Sequence, residues 1–213
     1  MSMNTSLTYL NCNTNQLTSL DLNSNTALTN LHTAGNQLTS LDVSSNTAIT
    51  LLNCAANQLT SLDVSNNTVL TVLDCNENQL TFLDVNSNTV LTQLNCYENQ
   101  LPSLDVSNNT SLIWLQCYGN QLNYLNMRNG VTNALTTFNA TNNDSLECIE
   151  TLDPTYATEN WTYENGNIDE GVTFAVNCTP FFGPVWHVSN TGSDETGDGS
   201  EANPFAAIQA GID

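Results

Sequence analysis

Leu70-Thr71-Val72-Leu73-Asp74-Cys75-Asn76-Glu77-Asn78-Gln79 runs straight into Leu80-Thr81-Phe82-Leu83-Asp84-Val85-Asn86-Ser87-Asn88-Thr89-Val90, and these 21 residues decide the fold. The two halves, of ten and eleven residues, carry the same pattern. Apolar residues stand at positions 1, 4 and 6 (Leu70, Leu73 and Cys75, then Leu80, Leu83 and Val85), and Asn stands at position 9 (Asn78, then Asn88). Positions 4 and 6 are one strand period apart, so each half is expected to form a short strand with one buried face. Asn at position 9 suits a turn, because its side chain bonds nearby backbone and it tolerates unusual φ. Segments this rich in Thr, Asn and Ser have little helix propensity.

The unit recurs in both directions. Asn-Gln-Leu begins at Asn15, Asn36, Asn57, Asn78, Asn99 and Asn120, always 21 residues apart. Fixed-period self-similarity marks a solenoid, and the spacing of apolar residues and Asn is the leucine-rich-repeat pattern. Over about residues 4–143 the chain resembles bacterial leucine-rich repeat proteins of the 21-residue, nested IRREKO type. The resemblance implies an all-β solenoid with short strands on both sides of each coil and few or no helices. With strands about 4.8 Å apart, six or seven coils make a rod of roughly 30 Å. Leu10, Leu31, Leu52, Leu73, Leu94 and Leu115 are expected in one inner column, Leu20, Leu41, Leu62, Leu83, Leu104 and Leu125 in a second, and Val43, Val64, Val85 and Val106 in a third.

The ends depart from the period. Asn4-Thr5-Ser6-Leu7 matches the unit tail Asn25-Thr26-Ala27-Leu28, so the chain begins inside a repeat. A solenoid edge needs cover, so upstream sequence or a partner is expected there. Met1-Ser2-Met3-Asn4 has neither the positive nor the apolar region of a signal peptide. After residue 143 the text resembles the C-terminal cap that follows such repeats in secreted proteins of the Bacteroidetes type, with Trp161, Tyr163 and Phe174 to cover the last coil. From Val185 it resembles the first turn of a right-handed parallel β-helix of the pectate-lyase-like kind. The expected organisation is thus a solenoid over 1–143, a cap over 144–178, a linker over 179–184 and the start of a β-helix domain over 185–213.

Composition removes whole function classes. The 213 residues include 35 Asn and 29 Thr, no Lys, and one Arg, Arg128, for a formal net charge of -20. A nucleic-acid binder needs cations to neutralise phosphates. Electrostatic attachment to an anionic membrane needs them too, as does the usual clamp on a phosphorylated substrate. No apolar run approaches the roughly 20 residues of a membrane span. Residues 1–143 carry 8 acids and the single Arg, while residues 144–213 carry 13 acids and no base. The repeat region is therefore nearly uncharged apart from a few carboxylates, and a neutral or cationic ligand suits it best.

Five of the seven cysteines, Cys12, Cys54, Cys75, Cys96 and Cys117, share one inward position with Thr33 and Ala140. Free Cys behaves as a small buried hydrophobe, and a thiol column in a leucine core lacks the clustered ligands and second shell of a metal site. Cys148 and Cys178 bracket the expected cap. A disulfide there would close a 30-residue loop and imply an oxidising compartment; the alternative is two free thiols.

The outward positions differ between halves. In the second half they barely change: Ser19, Ser40, Ser61 and Ser103 at position 3, and Asp21, Asp42, Asp63, Asp84 and Asp105 at position 5. Stacked like charges are unfavourable, so neighbouring hydroxyls and amides are expected to bond these carboxylates; inter-coil Ca²⁺ is the alternative. In the first half, position 3 reads Tyr9, Asn30, Leu51, Val72, Gln93, Trp114, and position 5 reads Asn11, His32, Asn53, Asp74, Asn95, Gln116. Position 7 reads Asn13, Ala34, Ala55, Asn76, Tyr97, Tyr118. A constant scaffold with one variable face is how repeat proteins present a binding surface. Asp74, Glu77, Gln93, Tyr97, Glu98, Trp114, Gln116 and Tyr118 are expected in one ligand-binding patch, with drift on an exposed sheet as the plain alternative.

Catalysis has little to stand on. The two histidines, His32 and His187, lie in different segments, and no Ser-His-Asp or Cys-His set can be built in the repeats. Asp74 and Glu77 can be drawn together, but an open sheet is not expected to raise either pKa as acid catalysis requires. No catalytic residue, metal or cofactor is assigned. The Thr at position 2 of each unit is expected to be simply exposed at a turn. The expected function is a non-catalytic, extracellular or cell-surface recognition or adhesion module for a protein or glycan. The alternatives are an accessory region of a secreted polysaccharide-degrading enzyme and a structural spacer.

Overall fold

The computed structural model describes residues 4–178. The expected linker at 179–184 and β-helix start at 185–213 lie outside the described residues. Among the described residues eleven short strands form in chain order: β1 (Tyr9–Asn11), β2 (Asn30–His32), β3 (Leu51–Asn53), β4 (Val72–Asp74), β5 (Gln93–Asn95), β6 (Ser103–Asp105), β7 (Trp114–Gln116), β8 (Tyr124–Met127), β9 (Thr137–Asn139), β10 (Cys148–Thr151) and β11 (Thr173–Ala175). One seven-stranded parallel sheet runs β1-β2-β3-β4-β5-β7-β9, and a four-stranded parallel sheet runs β11-β10-β8-β6. The one α-helix among the described residues, α1 (Pro154–Asn160), starts where the Asp153 side chain accepts the Tyr156 N–H, with Pro next in line.

The larger sheet has the register that the period predicts. Leu10 faces Leu31, then come Leu52, Leu73, Leu94 and Leu115, each strand one period on. Trp114 faces Thr137 and Leu115 faces Phe138, a step of 23 residues. The two extra residues are taken up by a 3-10 turn at Thr132–Ala134, so Phe138 enters the leucine column in phase. Val43, Val64, Val85 and Val106 are buried, as are the leucine columns inward from Leu31 and Leu41. Each buried Leu contributes about 1.5–3 kcal/mol of transfer free energy. Leu7, Leu10, Leu17 and Leu20 on the first coil are only partly buried.

Two Asn ladders stitch the coils together. Asn36, Asn57, Asn78, Asn99, Asn120 and Asn143 each donate through Nδ2 to a carbonyl of their own coil and to one of the preceding coil. Each also accepts through Oδ1 a backbone N–H of the preceding coil, from Leu17, Leu38, Leu59, Leu80, Leu101 and Leu122 in turn. In the second ladder Asn46, Asn67, Asn88 and Asn109 donate to two carbonyls of the preceding coil. The left-handed residue is not the position-9 Asn, as the sequence suggested, but its neighbour at position 8: Thr14, Gly35, Ala56, Glu77, Glu98 and Gly119 all have positive φ. Asn is held at 9 because its amide is buried and bonded in three directions.

Three further expectations change. The Leu-Asp-Val segments were expected to be strands in every coil, but a ladder forms on that side only from β6 onward. There Asp105 faces Asn126, and Asn126 faces Glu150. Earlier pairings would set Asp against Asp in register, which is unfavourable. Asp21, Asp42, Asp63, Asp84 and Asp105 instead accept the backbone N–H two residues on. At Asp42 and Asp63, hydrogen bonds from the following Ser44 and Ser65, rather than from Ser40 and Ser61, hold the carboxyl below its usual range. The position-2 threonines are not free at a turn. Thr29, Thr50, Thr71 and Thr92 donate their hydroxyls to the carbonyl of the Thr one coil back.

Beyond the last coil, Trp161 is buried against Phe138 at 4.5 Å and against Phe174 at 5.8 Å between ring centroids. Tyr163, expected to share that role, is 57% exposed and does not. Cys148 and Cys178 form a disulfide with their Cα atoms 5.7 Å apart, within the normal range. Beside it Glu150 gathers the Arg128 guanidinium at 3.2 Å, the Tyr124 hydroxyl at 3.1 Å and the Cys178 N–H at 3.0 Å. Arg128 also donates to Asn177 and Asn126. The chain's one strong base is thus committed to a buried carboxylate on the second side.

Cys54, Cys75, Cys96 and Cys117 are buried free thiols. Burial pushes Cys54 and Cys96 up to about 12, and Cys75 and Cys117 well above the ordinary thiol range. The thiolate is the reactive form. Iodoacetamide at pH 8 is therefore expected to spare these four in the native protein and to modify them in denaturant, as counted by mass. Complete native labelling would overturn the buried column.

Candidate functional site

The larger sheet carries the variable positions on its outward face. Its middle strand residues point in and its flanking ones out, the buried-between-half-buried pattern of β2 to β5 and β7. Every sequence-predicted patch residue lies on this face or at its edge, on coils four to six. Gln93 faces Trp114 across the β5–β7 pair, and Asn95 faces both Asp74 and Gln116. Tyr97 and Tyr118 follow their strands and stack, with ring centroids 4.5 Å apart and planes 7° from parallel. Trp114, Tyr97 and Tyr118 are half-buried, while Glu77 and Glu98 are exposed.

Asn95 is the member that sequence reasoning left out. Its amide donates to Asp74 Oδ1, and its oxygen accepts the Trp114 indole N–H at 2.8 Å. One side chain thereby ties a carboxylate on β4 to an aromatic on β7. The signal was its register, since Asn95 stands between Asp74 and Gln116 in the position-5 column. The other end of the face carries a smaller aromatic contact, Tyr9 on His32 at 5.4 Å, followed by Leu51 and Val72. The face therefore runs from an aromatic pair through an apolar stretch to an aromatic and acidic end along the solenoid.

Electrostatics single out Asp74. Its carboxyl is pushed above the ordinary range, chiefly by desolvation, against the opposing pull of the Asn95 hydrogen bond and of His32. The open sheet was expected to leave it unperturbed; the flanking strands cover it. The same column holds Asn11, Asn53, Asn95 and Asn139 in other coils, so an amide fits there without that cost. Tyr97 is raised by burial and then by Tyr118, Glu77 and Asp74, and Tyr118 by burial and then by Glu98 and Glu77, against the opposing pull of its hydrogen bond with Tyr97. The Glu98 carboxyl crosses to the next coil above Gly119, where a Cβ would come within 2.9 Å of it. Gly119 also has φ of +64°, so this glycine serves both the turn and the passage of Glu98.

Among the described residues, no group of three or more His, Cys, Asp or Glu is arranged to hold a metal ion. Nor is any helix there long and apolar enough to cross a membrane.

Comparison with known proteins gives the fold its context. No protein-family model and no curated protein sequence matches the chain. Solved structures do match. The functional domain of InlJ from Listeria monocytogenes, described as including a cysteine ladder, is 30% identical with a TM-score of 0.58; the match covers 69% of this chain and 39% of that one. A leucine-rich repeat protein of Leptospira interrogans is 24% identical with a TM-score of 0.55, over 69% of this chain and 38% of that one. Internalin C2 of Listeria monocytogenes is 20% identical with a TM-score of 0.56, over 78% and 80%. The chain thus spans about two fifths of the first two structures. These likenesses and the 21-residue register establish an all-β, parallel solenoid of leucine-rich-repeat type.

Proposed function

We propose that the chain is a non-catalytic, protein-binding repeat module that engages its partner through the outward face of the seven-stranded sheet, in an extracellular or cell-surface setting. The observation that carries this reading is the contrast between the two sides. One side repeats Ser and Asp and spends its carboxylates on its own backbone. The other changes residue at nearly every coil and gathers Trp114, Tyr97 and Tyr118 with polar neighbours, the composition of interface hot spots. The Cys148–Cys178 disulfide favours an oxidising compartment, and the matched structures are leucine-rich repeat proteins, internalins among them.

The test is binding of the intact protein to arrayed peptides, with a glycan array in parallel. Trp114→Ala and Tyr97→Ala are each expected to weaken captured peptides by about 10–30-fold, the scale of a hot-spot side chain. They should leave the melting transition nearly unchanged, since both rings are half-exposed. Peptide binding that survives both substitutions undiminished would move the site elsewhere. Signal on the glycan array alone would replace the protein partner with a sugar.

A further inference from the structure

The position-5 side chains of the larger sheet share a habit that two of them break. Asn11, Asn53 and Asn139 each accept through Oδ1 the backbone N–H two residues on. Asp74 and Asn95 reach across strands instead. The Asn95 amide donates to Asp74 Oδ1, and its oxygen accepts the Trp114 indole N–H at 2.8 Å. An ionised carboxylate can only accept and an indole N–H can only donate. An amide between the two has one orientation that serves both, with Nδ2 toward Asp74 and Oδ1 toward Trp114. A protonated Asp74 carries a donor of its own, and the constraint on the amide is gone. All three side chains are half-buried, where such bonds are stronger than in water.

We propose that Asp74 and Asn95 are positioning residues for Trp114: ionised Asp74 fixes the Asn95 amide, the amide holds the indole in its binding orientation, and protonation of Asp74 lets it go. This rests on the reading of the sheet as a protein-binding face and adds its regulation, a partner contact released by acid. The surroundings of Asp74 favour the neutral form. Its partners in register on β3 and β5, Asn53 and Asn95, are uncharged, as are Trp114 and Gln116 on β7. Glu77 follows Asp74 on its own coil. The nearby Cys54, Cys75 and Tyr97 are all raised and carry no positive charge. His32 on β2 is the one opposing base, and burial outweighs it, which leaves the Asp74 carboxyl above its ordinary range. A carboxyl raised in the folded state is penalised at a pH above its folded pKa and relieved as the pH falls through it. Acid therefore frees Trp114 without weakening the coil through this group.

The indole N–H resonance of Trp114 in the free, nitrogen-15-labelled full chain, assigned by its loss in Trp114→Phe, reads the link with no partner present. Between about pH 7.5 and about pH 4.5 it is expected to move upfield in one step centred above the ordinary carboxylate range, as the hydrogen bond to Asn95 loosens. Asp74→Asn and, separately, Asn95→Ala should abolish the step. His32→Asn and Glu77→Gln/Glu98→Gln should keep it. A step that persists in Asp74→Asn, or no step in the wild type, would overturn the inference. The same pH range is then applied to captured peptides with capped ends and no ionisable side chain. The wild type is expected to lose about fivefold in affinity, the scale of one hydrogen bond, and Asp74→Asn to lose almost none. Peptide binding indifferent to pH beside a titrating indole would refute the regulation and leave the protein-binding reading standing. No capture of any peptide would sink that reading, and the indole resonance would still decide whether Asp74 positions Trp114.

Discussion

Asn99→Ala is expected to destabilise the protein by about 3–4 kcal/mol, near the top of the range for a single substitution. The side chain is 8% exposed. Its amide donates to the carbonyls of Cys75, Cys96 and Tyr97 at 3.1, 3.1 and 3.3 Å, and its oxygen accepts the Leu80 N–H at 3.0 Å. Truncation strands one buried donor and thins the partners of three carbonyls, and the cost of an unsatisfied group exceeds the net gain from forming a bond. Asn88 gives the internal control. It is fully buried, yet only its amide is engaged, with Val64 and Asn67, and its oxygen has no partner. Asn88→Ala should therefore cost only about 1–2 kcal/mol. Urea denaturation followed by Trp fluorescence measures both; equal losses would mean that the two ladders are equivalent and that the oxygen contact adds nothing.

Cys148→Ser/Cys178→Ser is the second large effect. The bridge spans a sequence separation of 30, and closing a loop of that length is worth about 3–4 kcal/mol in chain entropy. The same bond holds Cys178 where its N–H meets Glu150, and Asn177 where it meets Arg128. Losing it should therefore loosen β10, β11 and α1 before the repeat coils, which hydrogen exchange resolves segment by segment. The oxidised wild type should unfold at higher urea than the double variant, and a reductant should erase the difference. Coincident midpoints with and without reductant would show that the bridge contributes nothing measurable.

Much of the architecture was legible because it is one-dimensional. A 21-residue count fixes which residue of one coil faces which of the next, so the leucine, valine and cysteine columns follow from arithmetic. The disulfide was open to two readings and the structure takes one. What did not follow from the count was any feature decided across coils by side-chain geometry. Asn95 reads as one more variable polar residue until its amide is seen between Asp74 and Trp114. Arg128 was counted as charge and is a structural tie for Glu150. The absent strand ladder of the early coils depends on a sum of Asp–Asp contacts that no single repeat contains. The left-handed turn was assigned one residue late, because Asn at 9 has the tolerance for it, but the burial of its amide forbids it.

The accommodation of two extra residues before Phe138 has a meaning for length. Each coil up to Asn120 hands its neighbour a fixed set of backbone groups: a carbonyl 24 residues back, another 21 residues back, a donor 19 residues back. An insertion inside a coil breaks all three at once and turns inward side chains outward. Only the connection that leaves the second half can absorb a change, and 128–136 absorbs one through a tight turn while the next strand stays in phase. This molecule is therefore digital in its growth. It can gain or lose whole coils with little penalty to the remainder, and so extend or shorten its outward face in steps, but it tolerates fractions of a coil at one joint alone.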